Sequence, residues 1–170
     1  MNLKLLLSSL IVGLGVYLVV IPNSVSADVQ KDNVPLQGLK FYDENNERIY
    51  PYSLEELKAF QEIHNIVQDW KIDTFTSASF INTVLIANGR PYYNPGSVIL
   101  KTYNSANPMS IEAYETDNSL AGSVYVPSGW EGSTNVPFTH LDRGHSYYFQ
   151  IRNEAATTAH IAGGEVWYDN

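Results

Sequence analysis

His140, Asp142 and His145 lie within six residues of one another and carry the side-chain types that hold transition metals, imidazole nitrogen and carboxylate oxygen. Gly144 sits among them and strand-like sequence flanks them. The alternative is therefore a polar loop between two strands, where such residues belong in any case. The expectation is no metal centre, with these three as the residues to inspect. Nucleophilic hydrolysis finds less support, because no Gly-x-Ser-x-Gly pattern presents a serine on a strained turn. Glu112 with Glu115, or Glu131 with Glu165, would supply the two carboxylates of a glycosidase, yet nothing in their spacing singles those pairs out. No catalytic residue and no cofactor is expected.

The stronger signal is aromatic. The chain holds 12 tyrosines and 3 tryptophans, and several fall out of phase with the apolar side of their strands. Alternation points Tyr114, Tyr125 and Tyr148 outward, Tyr103 and Trp167 share that sense, and Trp130 follows the turn residues Pro127-Ser128-Gly129. Tyr103, Tyr114, Trp130, Tyr148 and Trp167 are thus the candidate ligand-binding residues. A Greek-key order would place the strands bearing Tyr103, Tyr114, Tyr148 and Trp167 in one sheet, its outer face also carrying Glu112, Lys101, Gln150 and Arg152. Such a face suits stacking against sugar rings, or the aromatic-and-arginine anchoring of a protein partner. The alternative is that cross-strand tyrosine pairs only stabilise the sheet.

The elements that position these residues read clearly. Met109, Ile111 and Ala113 alternate with Ser110, Glu112 and Tyr114, and Tyr147, Phe149 and Ile151 alternate with Tyr148, Gln150 and Arg152, the period of half-buried strands. Further strands are predicted at 80–87, 98–103, 123–126, 135–139 and 165–168, with one near 72–76 and a hairpin over 39–50 around Asp43-Glu44-Asn45-Asn46-Glu47. That acidic turn lacks the glycine and twelfth ligand of a helix-loop-helix calcium site, so it reads as a solvated turn. Ser53-Leu54-Glu55-Glu56 is a capping box, with Tyr52 and Leu57 as its hydrophobic staple. It opens one amphipathic helix in which Leu54, Leu57, Phe60, Ile63, His64, Ile66 and Val67 recur at helical spacing up to Trp70. The fold class is mainly β, an antiparallel β-sandwich of about seven strands preceded by one α-helix.

Leu141-Asp142-Arg143-Gly144-His145-Ser146-Tyr147 places a leucine six residues before a tyrosine that opens an alternating strand. This resembles the tyrosine corner of immunoglobulin-like and fibronectin type III sandwiches. The resemblance covers 72–170 and implies that the Tyr147 hydroxyl bonds back to the backbone of the preceding turn.

Lys4 is followed by an uncharged apolar run from Leu5 to Val20, then by Pro22 and by Val25-Ser26-Ala27. That is the order of an export signal with its cleavage site, and an uncleaved anchor is the alternative. The expected organisation is a signal peptide over 1–27, an extended segment and helix over 28–71, and the sandwich over 72–170. Within 1–27 only Lys4 is charged, so cleavage takes the formal net charge from −8 to −9. Such a balance repels nucleic acid and anionic membrane surfaces. With 0 cysteines the fold rests on its core without disulfides, and no Asn-x-Ser/Thr acceptor occurs. These features resemble small secreted proteins of Gram-positive bacteria. The leading expectation is a secreted, non-enzymatic module that binds an extracellular glycan or surface protein. A secreted antibacterial or toxin-like effector and a self-associating extracellular structural protein are the alternatives.

Overall fold

The structure, a computed structural model, describes residues 36–62 and 70–169. The proposed export signal, the lead through Pro35, and the helical positions Ile63, His64, Ile66 and Val67 lie outside the described residues.

The strands are β1 (Lys40–Tyr42), β2 (Arg48–Ile49), β3 (Lys71–Phe75), β4 (Ala78–Phe80), β5 (Thr83–Leu85), β6 (Tyr92–Tyr93), β7 (Pro95–Thr102), β8 (Met109–Glu115), β9 (Leu120–Val126), β10 (Gly132–Pro137), β11 (Ser146–Asn153), β12 (Ala159–Ile161) and β13 (Gly163–Tyr168). Among the described residues there is one α-helix, α1, spanning Leu54–Glu62. Pairing is antiparallel throughout. A seven-stranded sheet runs β2-β1-β9-β8-β11-β5, with β6 also on β11, and a four-stranded sheet runs β10-β7-β13-β3, while β4 pairs with β12.

Register explains why the two larger sheets face each other. Ile111 lies between Val124 and Ile151, and Ala113 pairs with Phe149, so one face of the seven-stranded sheet is apolar. Val98 lies between Val136 and Val166 and gives the smaller sheet its own apolar face. These residues form one buried cluster with Phe138, whose ring meets Phe149 edge-on at 4.9 Å between centroids. Residues that sequence alone sets ahead of the sandwich also join it, since Phe41 of β1 pairs with Val124 and is buried in that cluster.

The corner geometry expected at 141–147 is present. The Tyr147 hydroxyl donates to the Asp142 carbonyl at 2.9 Å, and burial pushes its pKa up to about 12. Tyr147→Phe removes that bond but leaves a solvent-exposed residue as the orphaned acceptor. The expected loss is about 1 kcal/mol, read as a lower urea midpoint with an unchanged slope.

One expected strand is broken. Over 80–87 the chain leaves the β4–β12 pair and joins β11 as β5, and the crossing at Ile81 and Asn82 is pinned by Asn153. That residue's side chain donates to the Ile81 carbonyl at 2.8 Å and its backbone N–H to the Asn82 carbonyl at 2.8 Å. Alternation cannot register a strand that changes sheets, because the apolar residues stay in phase across the crossing. Ala87 and Asn88 then take left-handed backbone angles, with φ of 44° and 56°, and end the segment.

The helix begins as its capping box dictates. The Ser53 N–H donates to the Glu56 carboxylate at 2.7 Å, and the Glu56 N–H donates to the Ser53 hydroxyl at 3.3 Å. These bonds hold the Glu56 carboxyl below its usual range. At the other end the helix docks on β10. The Gln61 amide accepts from the Asn135 N–H and donates to the Asn135 carbonyl, while the Asn135 side chain donates to the Phe60 carbonyl at 2.7 Å. A helix carbonyl and the free side of an edge strand are satisfied together.

Candidate functional site

The outward row of the seven-stranded sheet is fixed by register. Lys40, Tyr125, Ser110, Arg152 and Thr83 lie across it, and Tyr42, Ser123, Glu112, Gln150 and Leu85 lie beside them. At the centre Glu112 is only 4% exposed although it stands on the outer face. Its carboxylate accepts from the Tyr114 hydroxyl at 3.0 Å and from the Gln150 amide at 3.1 Å, and pairs with the Arg152 guanidinium at 3.1 Å. A carboxylate so shielded from water is tolerable because these three donors meet it. Arg152 continues to Glu154 at 3.0 Å, which also accepts from the Ser110 hydroxyl.

Tyr148 pairs directly with Tyr114, and the rings stack at 5.4 Å with 13° between planes. The Tyr148 hydroxyl donates to Asn118 at 2.9 Å, beyond the end of β8. Burial and the neighbouring Glu112 charge raise the Tyr114 pKa. Leu85 and Tyr93, on β5 and β6, are exposed large side chains of the same sheet. Among the described residues α1 packs on β10 of the other sheet and leaves this face open.

The expected set of five aromatic residues does not converge. Tyr114 and Tyr148 are direct neighbours on one sheet, both outward as alternation predicts, and Glu112, Gln150 and Arg152 join them. Trp167 instead belongs to the four-stranded sheet, since β13 lies between β7 and β3. Lys101 is on the same sheet, paired at 2.6 Å with Glu165. Tyr103 follows β7 on that side and stands 82% exposed. Trp130 is not a loop ligand, because its ring is fully buried in the core. Gly129 and Gly132 flank it with φ of 90° and 82°, and the Ala106 N–H donates to the Trp130 carbonyl at 2.9 Å. Two left-handed glycines turn the chain back on itself and carry the indole inward, a reversal that composition reads only as a turn.

The three metal-ligand candidates also point to different places. His140 is half-buried, stacked on Phe138 and met edge-on by Phe41, with its Nδ1 at 3.1 Å from the Tyr52 hydroxyl. His145 faces Glu115 at 3.3 Å, whereas Asp142 is exposed and lends its carbonyl to the tyrosine corner. The described residues hold no group of three potential ligands. In the acidic turn Asp43 is engaged locally, its carboxylate accepting from the N–H groups of Asn45 and Glu47.

A second concavity lies on the helix side of the smaller sheet. Phe60, Trp70 and Trp167 wall it, with Gly96, Ser97, Asn135 and Thr139 completing it. Of these, sequence reasoning put forward only Trp167 as a ligand-binding candidate, and it placed Phe60 and Trp70 on the helix. The others come from a helix, a strand edge and the start of β7, so nothing within any one stretch announces that they meet. No protein-family model, curated protein or solved structure matches the chain.

Proposed function

We propose that this chain is a secreted, non-enzymatic module of immunoglobulin-like type that holds an extracellular protein partner on the open face of its seven-stranded sheet. The observation that carries the reading is the stacked Tyr114–Tyr148 pair set beside the Glu112–Arg152 network on a face that no described element covers. Tyrosine rings beside a half-exposed arginine are the residue types that most often anchor protein interfaces. A glycan fits this face less well, because each tyrosine turns a ring face to the other and so withdraws it from stacking on a sugar. The immunoglobulin-like assignment rests on the Tyr147 corner and the shared two-sheet core, and export rests on the N-terminal apolar run.

The test is retention of the purified protein on isolated Gram-positive cell walls, before and after protease treatment of the walls. Tyr148→Ala with Arg152→Lys, which keeps a cation beside the shielded Glu112 carboxylate, should reduce retention about tenfold or more, as loss of interface anchors does. Retention that survives protease would replace the protein partner with a glycan. Retention indifferent to both substitutions would reject this face.

A further inference from the structure

The four-stranded sheet has two edges, β10 and β3. On β10 the Gln61 amide holds both backbone groups of Asn135. Among the described residues the β3 backbone pairs with β13 alone, so its other side presents a row of open N–H and C=O groups, to which a further strand can add. The strand runs Lys71–Phe75 and holds neither proline nor glycine.

Its side-chain directions follow from the pairing. Asp73 lies opposite Val166 and Lys71 opposite Tyr168, toward the core side, whereas Ile72 lies opposite Trp167 and faces outward, 54% exposed. Asp73 is held in place through Oδ2, which accepts from Arg90 and from the Tyr92 hydroxyl, both at 2.9 Å. The seam beneath the strand is open too. A cavity of about 430 Å³ is lined by Thr74 and Phe75 on one side and by Val84 and Leu85 of β5, the edge of the other sheet, on the other. Ile72, Ile81 and Leu85 are the exposed large aliphatic side chains of the described residues, and they lie on β3, on β5 or on the crossing that leads into β5.

From this geometry we infer that β3 is a dimer interface: the β3 strands of two copies pair antiparallel about a two-fold axis at Ile72, joining two four-stranded sheets into one. An axis perpendicular to the sheet keeps each side chain on its own face, so a symmetric pair must set some residue opposite its own copy. Centring on Lys71 opposes two ammonium groups, and centring on Asp73 opposes two carboxylates, both unfavourable. Centring on Thr74 or Phe75 gives Asp73 no cation. Centring on Ile72 sets Lys71 of each copy opposite Asp73 of the other and brings the two Ile72 side chains together, flanked by the two Trp167 rings. A charge turned inward ordinarily guards an edge strand. Here Asp73 repels strands in general and admits the one that brings a lysine to it. Because β10 is occupied, this sheet closes at two copies. The interface lies at the margin of the sandwich and does not depend on the tyrosine face.

The experiment is sedimentation velocity of the purified protein from about 1 to 500 μM, the span in which a small interface assembles. The parent should pass from monomer to dimer. Lys71→Asp and Ile72→Lys, both at exposed side chains, should each move the midpoint up tenfold or more, and circular dichroism identifies any variant that fails to fold. The chain has 0 cysteines, so single cysteines read the register. Residues directly opposite in an antiparallel pair have Cα atoms about 4.5–5.5 Å apart, within disulfide reach. Under mild oxidation Ile72→Cys should form a covalent dimer, whereas Thr74→Cys, about 13 Å along the strands from its own copy, should not. A protein that stays monomeric throughout would overturn the inference, as would a dimer indifferent to both Lys71→Asp and Ile72→Lys, or cross-linking through Thr74→Cys in place of Ile72→Cys. Tyr148→Ala should dimerise like the parent. A dimer lost in that variant and kept in Lys71→Asp would overturn it too, by moving self-association to the tyrosine face.

Discussion

Trp130→Ala is expected to remove about 3–5 kcal/mol of stability, the range for losing a large aromatic side chain from a packed core. That is a large fraction of what a domain of this size possesses. The indole is fully buried, and the glycines on either side hold the backbone that points it inward. Thermal unfolding followed by near-ultraviolet circular dichroism would show the variant largely unfolded or melting far lower, whereas Trp130→Phe should keep a cooperative transition at a smaller cost. A Trp130→Ala protein that melts like the parent would place the indole outside the core. Any partner binding lost in this variant reports loss of the fold and says nothing about a ligand contact.

Acidification should weaken the protein through His140. Burial lowers its pKa from the ordinary histidine value of 6.5 to about 4. Its Nε2 atom is buried without a partner, its ring packs on Phe138 and Phe41, and Nδ1 is committed to Tyr52. An imidazolium there would need a second acceptor that the site does not offer. The unfolded chain takes up this proton below pH 6.5 and the folded chain resists it until about pH 4. Stability from neutral His140 is therefore complete above about pH 6.5 and is lost progressively as pH falls toward 4. The loss is about 2 kcal/mol by pH 5 and about 3 kcal/mol in full. Urea titrations at pH 7 and pH 5 should show that difference in the parent and a much flatter response in His140→Gln. Equal slopes in the two proteins would mean that the imidazole is protonated without cost.

How far the sequence foretold this arrangement depends on how local each signal is. The strands carrying Tyr114 and Tyr148 were legible because period two is written along each strand, and their direct pairing follows once β8 and β11 are neighbours. The capping box and the tyrosine corner were legible because all their atoms fall within four to seven consecutive residues. Sheet membership was not, since it depends on which strands come together across the chain. Trp167 and Lys101 therefore went to the wrong sheet even though their outward sense was right. The helix-side cleft was hidden for the same reason, since Phe60, Trp70 and Asn135 meet only when the helix folds onto the edge of β10. Trp130 was misread for the opposite cause: a turn composition describes the path of the backbone and not the direction of the side chain that rides on it.

The clasp between Gln61 and Asn135 has a consequence for polymerisation. An open strand edge is a template on which another chain can add, and repeated addition builds cross-β stacks. On β10 the Gln61 amide occupies both backbone groups of Asn135 as an added strand would, and Pro137 offers no N–H at the strand's end. The helix therefore acts as a chain terminator for that edge. Undocking it uncovers the template, so the onset of fibrillar aggregation should follow release of the helix and can precede melting of the sandwich.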